Sequence, residues 1–128
     1  MRKKQRSRLL TDVELEFMTA LWRLGEASVR DVLDALERER KLAYTSAATI
    51  LKILEKKGFV ASRKIGRTFH YVPRLDRDAY QTRSLQHMSE MLFDGTPASL
   101  VSRLIDDGDL SEEALVEIRK ILDEKLAR

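Results

Sequence analysis

The chain has 128 residues and no cysteine, so it is long enough for one ordinary domain, or a small domain with an appendage, but has no disulfide framework or thiol nucleophile. No apolar run approaches the ~18 residues of a membrane span, and no apolar signal-peptide core follows Met1, so we expect a cytoplasmic protein. The net charge of +3 is unevenly distributed along the chain. Residues 1–75 carry 17 Lys and Arg against 9 Asp and Glu, whereas residues 76–128 carry 7 against 12. We therefore expect only the first part of the chain to bind a polyanion.

The chain begins with a basic stretch. Residues 1–8 contain five Lys and Arg and almost nothing apolar. We predict a flexible basic arm over residues 1–9, which adds phosphate contacts without specifying a sequence. A solvated tail with no function is the alternative interpretation.

Three helices with short links are predicted next. Thr11-Asp-Val-Glu14 fits a capping box, and Gly25 marks the end of that helix. Ser28-Val-Arg-Asp31 is a weaker version of the same start signal, and the third helix runs from Ala43 to Gly58. The second and third helices are close enough along the chain to form a helix-turn-helix.

The third helix has two different faces. Its predicted buried stripe is Ala47, Ile50, Leu51 and Leu54. Its opposite face offers small or hydroxylated side chains and then a cation: Thr45, Ser46, Ala48, Thr49 and Lys52. Small polar side chains followed by a cation suit a recognition helix in the major groove. An ordinary amphipathic helix with a solvated outer face is the alternative.

A β-hairpin is predicted after Gly58. Two β-prone runs, 59–65 and 68–72, are joined at Gly66-Arg67, a two-residue turn with Gly first. Arg63, Lys64 and Arg67 crowd its tip, which is typical of the wing of a winged helix. We expect these cations to contact phosphate or the minor groove. A structural hairpin with a polar tip is the alternative.

Further DNA contacts are expected where the second and third helices begin. Ser28 and Arg30 lie at the N-terminal end of the second helix, where backbone N–H groups commonly bind phosphate. Tyr44 precedes the recognition face, and its hydroxyl could reach a phosphate or its ring could pack under the helix start.

The tail is predicted to form three short amphipathic helices. They cover residues 76–92, a segment after Thr96-Pro97, and a segment after Ser111. About fifty residues are too few to bury three apolar faces well, so we expect a second copy of the tail to cover them. The candidate dimer-interface residues are Tyr80, Leu85, Met88, Leu92, Leu100, Leu104, Leu115, Ile118, Ile121 and Leu122. Packing of the tail onto the front domain is the alternative.

No enzyme, metal site or cofactor is expected. His70 and His87 are the two histidines, and they lie in different predicted elements without carboxylates at ligand spacing. No catalytic triad order, phosphate loop or glycine fingerprint is present. A winged helix used for protein–protein contact remains the rival to a DNA-binding one, and RNA binding is less favoured because Phe69 and Tyr71 form no evident stacking platform.

From Leu10 to its C-terminus, the chain resembles the penicillinase repressor family of the BlaI/MecI/CopY type. The motifs are Leu10-Thr-x-x-Glu14 with Leu21-Trp22 and Gly25, Val29-Arg-Asp-Val-Leu33, Leu42-Ala-Tyr-Thr45 with Thr49, Leu54-Glu-Lys-Lys-Gly-Phe-Val60, Gly66-Arg67-x-x-x-Tyr71-x-Pro73, Ser99-Leu-Val and Asp109-Leu-Ser-Glu-Glu. Each motif is weak alone, and together in this order they are fairly specific.

The resemblance implies a repressor that binds a dyad-symmetric operator as a homodimer. It also implies release when a sensor-linked protease cuts the tail, and Arg103-Leu104 stands where staphylococcal members have the cleaved Asn-Phe pair. Without cysteine, the copper-type switch of one branch cannot operate, and Ile53 stands where relatives often have Arg. We therefore predict a mainly α protein with a small β-wing: a winged helix-turn-helix over residues 10–75 and a helical dimerisation and regulatory domain over 76–128.

Overall fold

The computed structural model describes residues 9–36 and 41–128, so the predicted basic arm lies almost wholly outside the described residues. The elements are α1 (Asp12–Leu24), β1 (Ala27–Ser28), α2 (Val29–Leu36), α3 (Tyr44–Lys56), β2 (Val60–Ile65), β3 (Thr68–Pro73), α4 (Arg77–Leu92), α5 (Pro97–Asp107) and α6 (Glu112–Leu126). Three helices, a hairpin and three further helices confirm the predicted fold class, mainly α with a small β-wing.

The first two helix starts read from the sequence have the expected caps, whereas Thr96 at the start of α5 makes no side-chain capping hydrogen bond. Thr11 Oγ1 accepts a hydrogen bond from Glu14 N–H at 3.2 Å, and Glu14 Oε1 accepts one from Thr11 N–H at 2.9 Å. Ser28 and Asp31 form the same reciprocal pair at the start of α2, with both bonds at 3.1 Å. These bonds satisfy N–H groups that the first turn of a helix leaves without intrahelical partners.

The sheet has one strand more than the sequence predicted. The strand order is β1-β3-β2, and both pairings are antiparallel. The extra strand, β1, pairs Ala27 with Tyr71 and Ser28 with His70. The turn between β2 and β3 begins with Gly66 at φ 65°, a conformation that glycine adopts without steric cost.

The chain divides into two compact units, one ending at Ser84 and the other covering Leu85–Arg128. The core of the first unit combines side chains from its helices with the base of the wing; its fully buried large members are Phe17, Met18, Leu21, Val32, Leu51, Leu54 and Val60. Within α1, Phe17 lies fully buried, whereas Leu15 is 37% exposed.

Tyr80 belongs to this core, which corrects its assignment to the dimer interface. Its side chain is 9% exposed, and its hydroxyl accepts a hydrogen bond from Leu10 N–H at 2.9 Å. Its ring lies 5.9 Å from that of Trp22 and 6.1 Å from that of Phe59. The start of α4 therefore completes the winged unit, which continues beyond the expected boundary at Leu75.

The second unit covers little of its own apolar surface. Helices α5 and α6, both described over their whole length, contain no buried side chain. Of the residues expected to face a second chain, Leu100 and Ile118 are half-buried, and the rest in this unit are exposed: Leu85, Met88, Leu92, Leu104, Leu115, Ile121 and Leu122. Among the helices of the described ranges, none is both long and apolar enough to cross a membrane.

Candidate nucleic-acid interface

Helix α3 separates its two faces as its periodicity predicts. Ala47, Leu51 and Leu54 are fully buried. Among the candidate groove residues, the exposed ones are Thr45, Ser46, Thr49 and Lys52, whereas Ala48 is half-buried and packs against the core. Because most of these exposed side chains are short, the polar face of α3 can approach base edges closely.

Thr49 has its hydroxyl proton engaged within α3. Its Oγ1 donates to the carbonyl oxygen of Thr45 at 2.9 Å, one turn earlier. A base contact by Thr49 would therefore use its methyl group or the remaining lone pair of its oxygen.

The N-terminal end of α2 is less open to phosphate than the sequence suggested. The Ser28 N–H donates to the carboxylate of Asp31, and hydrogen bonds from the Ser28 backbone and side chain hold the pKa of Asp31 below its usual value. A carboxylate therefore occupies part of this helix end, and the Ser28 N–H is already used.

The structure brings Arg30 and Tyr44 together. The Arg30 guanidinium carbon lies 5.7 Å from the centroid of the Tyr44 ring, a cation–π contact between the first turns of α2 and α3. Tyr44 is 47% exposed, so its ring lies beneath Arg30 rather than in the core. This stacking limits the orientations of the Arg30 guanidinium at the start of α3.

Arg63 is paired with a residue that the sequence analysis did not single out. Its Nε and Nη2 donate to the two carboxylate oxygens of Glu26 at 2.8 and 3.1 Å. The hydrogen bond from Arg63 lowers the pKa of Glu26, and Glu26 raises the pKa of Arg63. No sequence signal could have found this pair, because Glu26 lies next to the unpredicted β1, 37 residues before Arg63.

Lys64 and Arg67 are both exposed near the tip of the wing. The Lys64 ammonium nitrogen lies 5.9 Å from the centroid of the Phe69 ring, and Arg67 follows Gly66 in the turn. These two cations are therefore placed as the sequence predicted, at the end of an exposed hairpin.

Two contacts fix α3 relative to its surroundings. Ser62 Oγ donates to Glu55 Oε2 at 2.7 Å, joining the wing to α3. Lys57 Nζ donates to both carboxylate oxygens of Glu14, at 2.9 and 2.7 Å, joining the end of α3 to α1. Burial raises the pKa of Glu14, but the Lys57 and Thr11 hydrogen bonds outweigh it and keep that pKa below its ordinary value. Neither pair was anticipated.

A cleavage site is the remaining candidate from the sequence, which predicted no metal site. Within residues 9–36 and 41–128, no group of three His, Asp or Glu is placed to hold a metal ion. Arg103 and Leu104 lie inside α5, where Arg103 Nη1 is 2.7 Å from Asp107 Oδ2. Because a protease needs an extended substrate, cleavage there requires local unfolding of the helix.

Comparison with known proteins identifies relatives along almost the whole chain. Residues 10–124 match the family model described as penicillinase repressor. The penicillinase repressor of Bacillus licheniformis is 29% identical over 115 residues, covering 90% of each chain. The methicillin resistance regulatory protein MecI of Staphylococcus aureus is 24% identical over 116 residues, covering 91% of this chain and 94% of MecI.

A solved structure matches a little more than half of the chain. The solution structure of the DNA binding domain of the repressor BlaI has a TM-score of 0.50 and 31% sequence identity, and it covers 56% of this chain and 87% of that domain.

Proposed function

We infer that this chain, which belongs to the penicillinase repressor family and is a DNA-binding transcriptional repressor rather than an enzyme, acts as a homodimer on a dyad-symmetric operator. The observation that carries the proposal is the exposed face of α3, where Thr45, Ser46 and Thr49 precede Lys52, beside a wing with Lys64 and Arg67 near its tip. We also propose that it acts in the cytoplasm.

In this proposal α3 lies in the major groove. The hydroxyls of Thr45 and Ser46 and the methyl group of Thr49 face base edges, and a threonine methyl suits the methyl group of thymine. Lys52 contacts a phosphate on the groove wall, and Arg30, stacked on Tyr44, contacts a phosphate near the start of α3. Ala48 contributes less than the sequence suggested, because it is half-buried.

Dimerisation is supported by the apolar surface of the second unit. Leu104 is 50% exposed, Ile121 56% and Leu122 52%, and a second tail would remove this surface from water. Each large aliphatic side chain so covered contributes about 1 kcal/mol, since half of its full burial value of about 1.5–3 kcal/mol remains to be gained. A dimer presents two recognition helices ~34 Å apart or a multiple of that distance, which matches a dyad operator.

For release, we propose proteolysis between Arg103 and Leu104 by a sensor-linked protease. The cut would separate Leu115, Ile121 and Leu122 from the rest of the interface, and so weaken the dimer. Since this bond lies within α5, the protease acts on a locally unfolded tail.

A salt titration tests DNA binding by the front unit. The affinity of the full chain for duplex DNA, measured by fluorescence anisotropy, is expected to fall by about 10³-fold or more between 50 and 200 mM salt, because each subunit neutralises several phosphates. A winged helix used for protein contact alone predicts a weak and nearly flat dependence, and that result would refute the proposal.

Point substitutions test the separate roles of wing and helix. Arg67→Ala is expected to weaken binding similarly on all sequences and to lower the log–log salt slope by about 1 per subunit. Arg23→Ala, which removes an exposed cation from α1, is the matched control and should leave the slope unchanged. Thr49→Ser, which removes the methyl, should weaken operator binding more than binding to random DNA, whereas Thr49→Val should retain the preference.

Truncation tests the tail. A fragment ending at Ser84 keeps Tyr80 and the rest of the first core, so it should fold as a monomer with weak, salt-sensitive DNA binding. Loss of the tethered second half-site should remove tight operator binding. A dimeric fragment, or one that binds the operator as tightly as the full chain, would contradict this role of the tail.

A further inference from the structure

Apolar side chains are exposed on both faces of the hairpin close to its turn. Phe69 is 50% exposed and Ile65 is 44% exposed. The register pairs Lys64 with Phe69 and Ile65 with Thr68 across the two strands. Because successive side chains of a strand point to opposite faces, Ile65 and Phe69 lie on opposite faces of the hairpin. We call residues 64–69 the wing tip.

Cations lie among these apolar side chains at the end of the hairpin. Lys64 holds its ammonium 5.9 Å from the Phe69 ring, and Arg67 lies in the turn itself. Arg63, one residue before the wing tip, is held by both oxygens of Glu26 near β1. The wing tip therefore combines an apolar flank on each side with positive charge at its end.

We propose that the wing tip inserts into the minor groove of DNA as an apolar wedge, with Phe69 and Ile65 against the deoxyribose walls and Lys64 and Arg67 at the flanking phosphates. This inference rests on the proposed function, in which α3 occupies the adjacent major groove. The minor groove is about 6 Å wide, and its walls are built largely from sugar C–H groups, which suits apolar side chains.

The wedge gives the protein a sequence preference at base pairs that α3 does not contact. The 2-amino group of guanine projects into the minor groove, whereas A·T pairs leave its floor open and narrower. A wing tip that enters the groove therefore disfavours G·C pairs beside the half-site, without a hydrogen bond to any base.

The size of the effect follows from the exposed area of the ring. A Phe side chain carries about 150–250 Å² of surface, so half exposure leaves about 100 Å², and a groove contact covers about half of that. Burial of about 50 Å² corresponds to roughly a tenfold change in affinity per half-site, hence about a hundredfold for two half-sites bound together.

The test uses the full chain and a duplex that it selects from a random pool. Hydroxyl-radical cleavage, which attacks sugars from the minor groove, locates the positions that the wing covers. We expect the natural protein to protect these sugars, and Phe69→Gln to leave them open while binding the duplex about a hundredfold more weakly. Phe69→Leu keeps an apolar side chain and should bind within about threefold of the natural protein.

Base substitution at the protected positions separates a minor-groove contact from a phosphate contact. Replacing A·T by G·C should weaken binding of the natural protein, and inosine·cytosine, which lacks the 2-amino group, should restore it. Phe69→Gln should not distinguish the three duplexes. Val72→Gln changes another exposed apolar side chain of β3 away from the wing tip, so it should behave as the natural protein does.

The outcomes distinguish this inference from the proposed function. If the natural protein shows no salt-dependent duplex binding, the repressor proposal itself fails. If it binds but Phe69→Gln binds equally well, or if inosine·cytosine behaves as G·C does, the wedge is wrong while the repressor proposal stands. Melting curves followed by Trp22 fluorescence show whether each variant remains folded. If Phe69→Gln does not, the comparison of A·T, G·C and inosine·cytosine duplexes with the natural protein decides the case.

Discussion

The ion pair between Lys57 and Glu14 fixes the end of α3 against α1, and Lys57→Met removes it while keeping a side chain of similar length. Both oxygens of the carboxylate then lose the Lys57 ammonium, which lies 2.9 and 2.7 Å away. The Thr11 N–H at 2.9 Å remains as a donor to Glu14. Because the Glu14 side chain is 9% exposed, its charge is left with little access to water.

The expected cost follows from the burial of the two partners. Breaking a fully buried ion pair costs about 3–5 kcal/mol, because one charge stays behind without compensation. The Lys57 side chain is 19% exposed, so water reaches part of the vacated space and about 2–3 kcal/mol is expected at neutral pH. For a unit of this size, that loss lowers the melting temperature by about 10–15 °C.

The loss of stability caused by Lys57→Met should become smaller as the pH falls. Burial raises the pKa of Glu14, and the Lys57 and Thr11 contacts lower it further than burial raises it, so the folded-state pKa lies below the ordinary value of 4.5. The stabilisation of the folded state by the ionised Glu14 is present above the ordinary value of 4.5 and is lost as the pH falls through the folded-state pKa. In Lys57→Met the two contributions of Lys57 are lost, so the pKa of Glu14 rises. Protonation then removes the unpaired charge, so the penalty should shrink in acid.

Trp22 makes this measurement specific to the first unit. It is the single tryptophan of the chain, and its Nε1–H donates to the Leu75 carbonyl oxygen at 2.8 Å within that unit. Melting curves followed by its fluorescence at pH 7 and pH 4, at one protein concentration, give the two penalties. Glu14→Gln should cost less, and the double variant should recover part of the Lys57→Met loss. A Lys57→Met melting temperature within a few degrees of the natural protein at pH 7, or an equal penalty at pH 4, would refute the reasoning.

Three further substitutions test separate features of the structure. Glu26→Gln frees Arg63 from a charged partner, and we expect the log–log salt slope of DNA binding, measured by anisotropy, to steepen by about 1 per subunit; an unchanged slope would mean that Arg63 makes no phosphate contact. Tyr80→Phe should lower the free energy of unfolding by about 1 kcal/mol, because Leu10 N–H loses its acceptor, while sedimentation shows an unchanged oligomeric state. Gly58→Ala should cost about 1 kcal/mol in urea denaturation because Gly58 has φ 90°, and an unaffected midpoint would contradict that account.

The elements that the sequence predicted well are those whose signals are local. A capping box needs two residues three positions apart, and both Thr11 with Glu14 and Ser28 with Asp31 form one. The hairpin needs alternating residues around a glycine turn, which Gly66 provides. In each case the physical cause lies within one turn of helix or one hairpin, so the pattern and the structure agree.

Most of the contacts that the sequence did not predict join residues far apart in the chain. Glu26 and Arg63 are separated by 37 residues, and Glu14 and Lys57 by 43. The bond between Leu10 and Tyr80 spans 70 residues. Nothing in the local pattern distinguishes these charged or aromatic residues from solvated ones, because their partners are set by tertiary packing. The assignment of Tyr80 was therefore wrong, although the helix that carries it was predicted.

The tail links folding, association and release in one equilibrium if it pairs as we propose. Helix α6 has 15 residues, a length at which an isolated helix is marginal in water, and it contains no buried side chain. Its stability would then come mainly from the second chain, so the monomer unfolds α5 and α6 more readily than the dimer does. A protease that requires an extended segment around Arg103 would act chiefly on dissociated or frayed tails. Operator binding, which favours the dimer, would slow cleavage by mass action, and each cut would in turn lower the concentration of dimer left to bind.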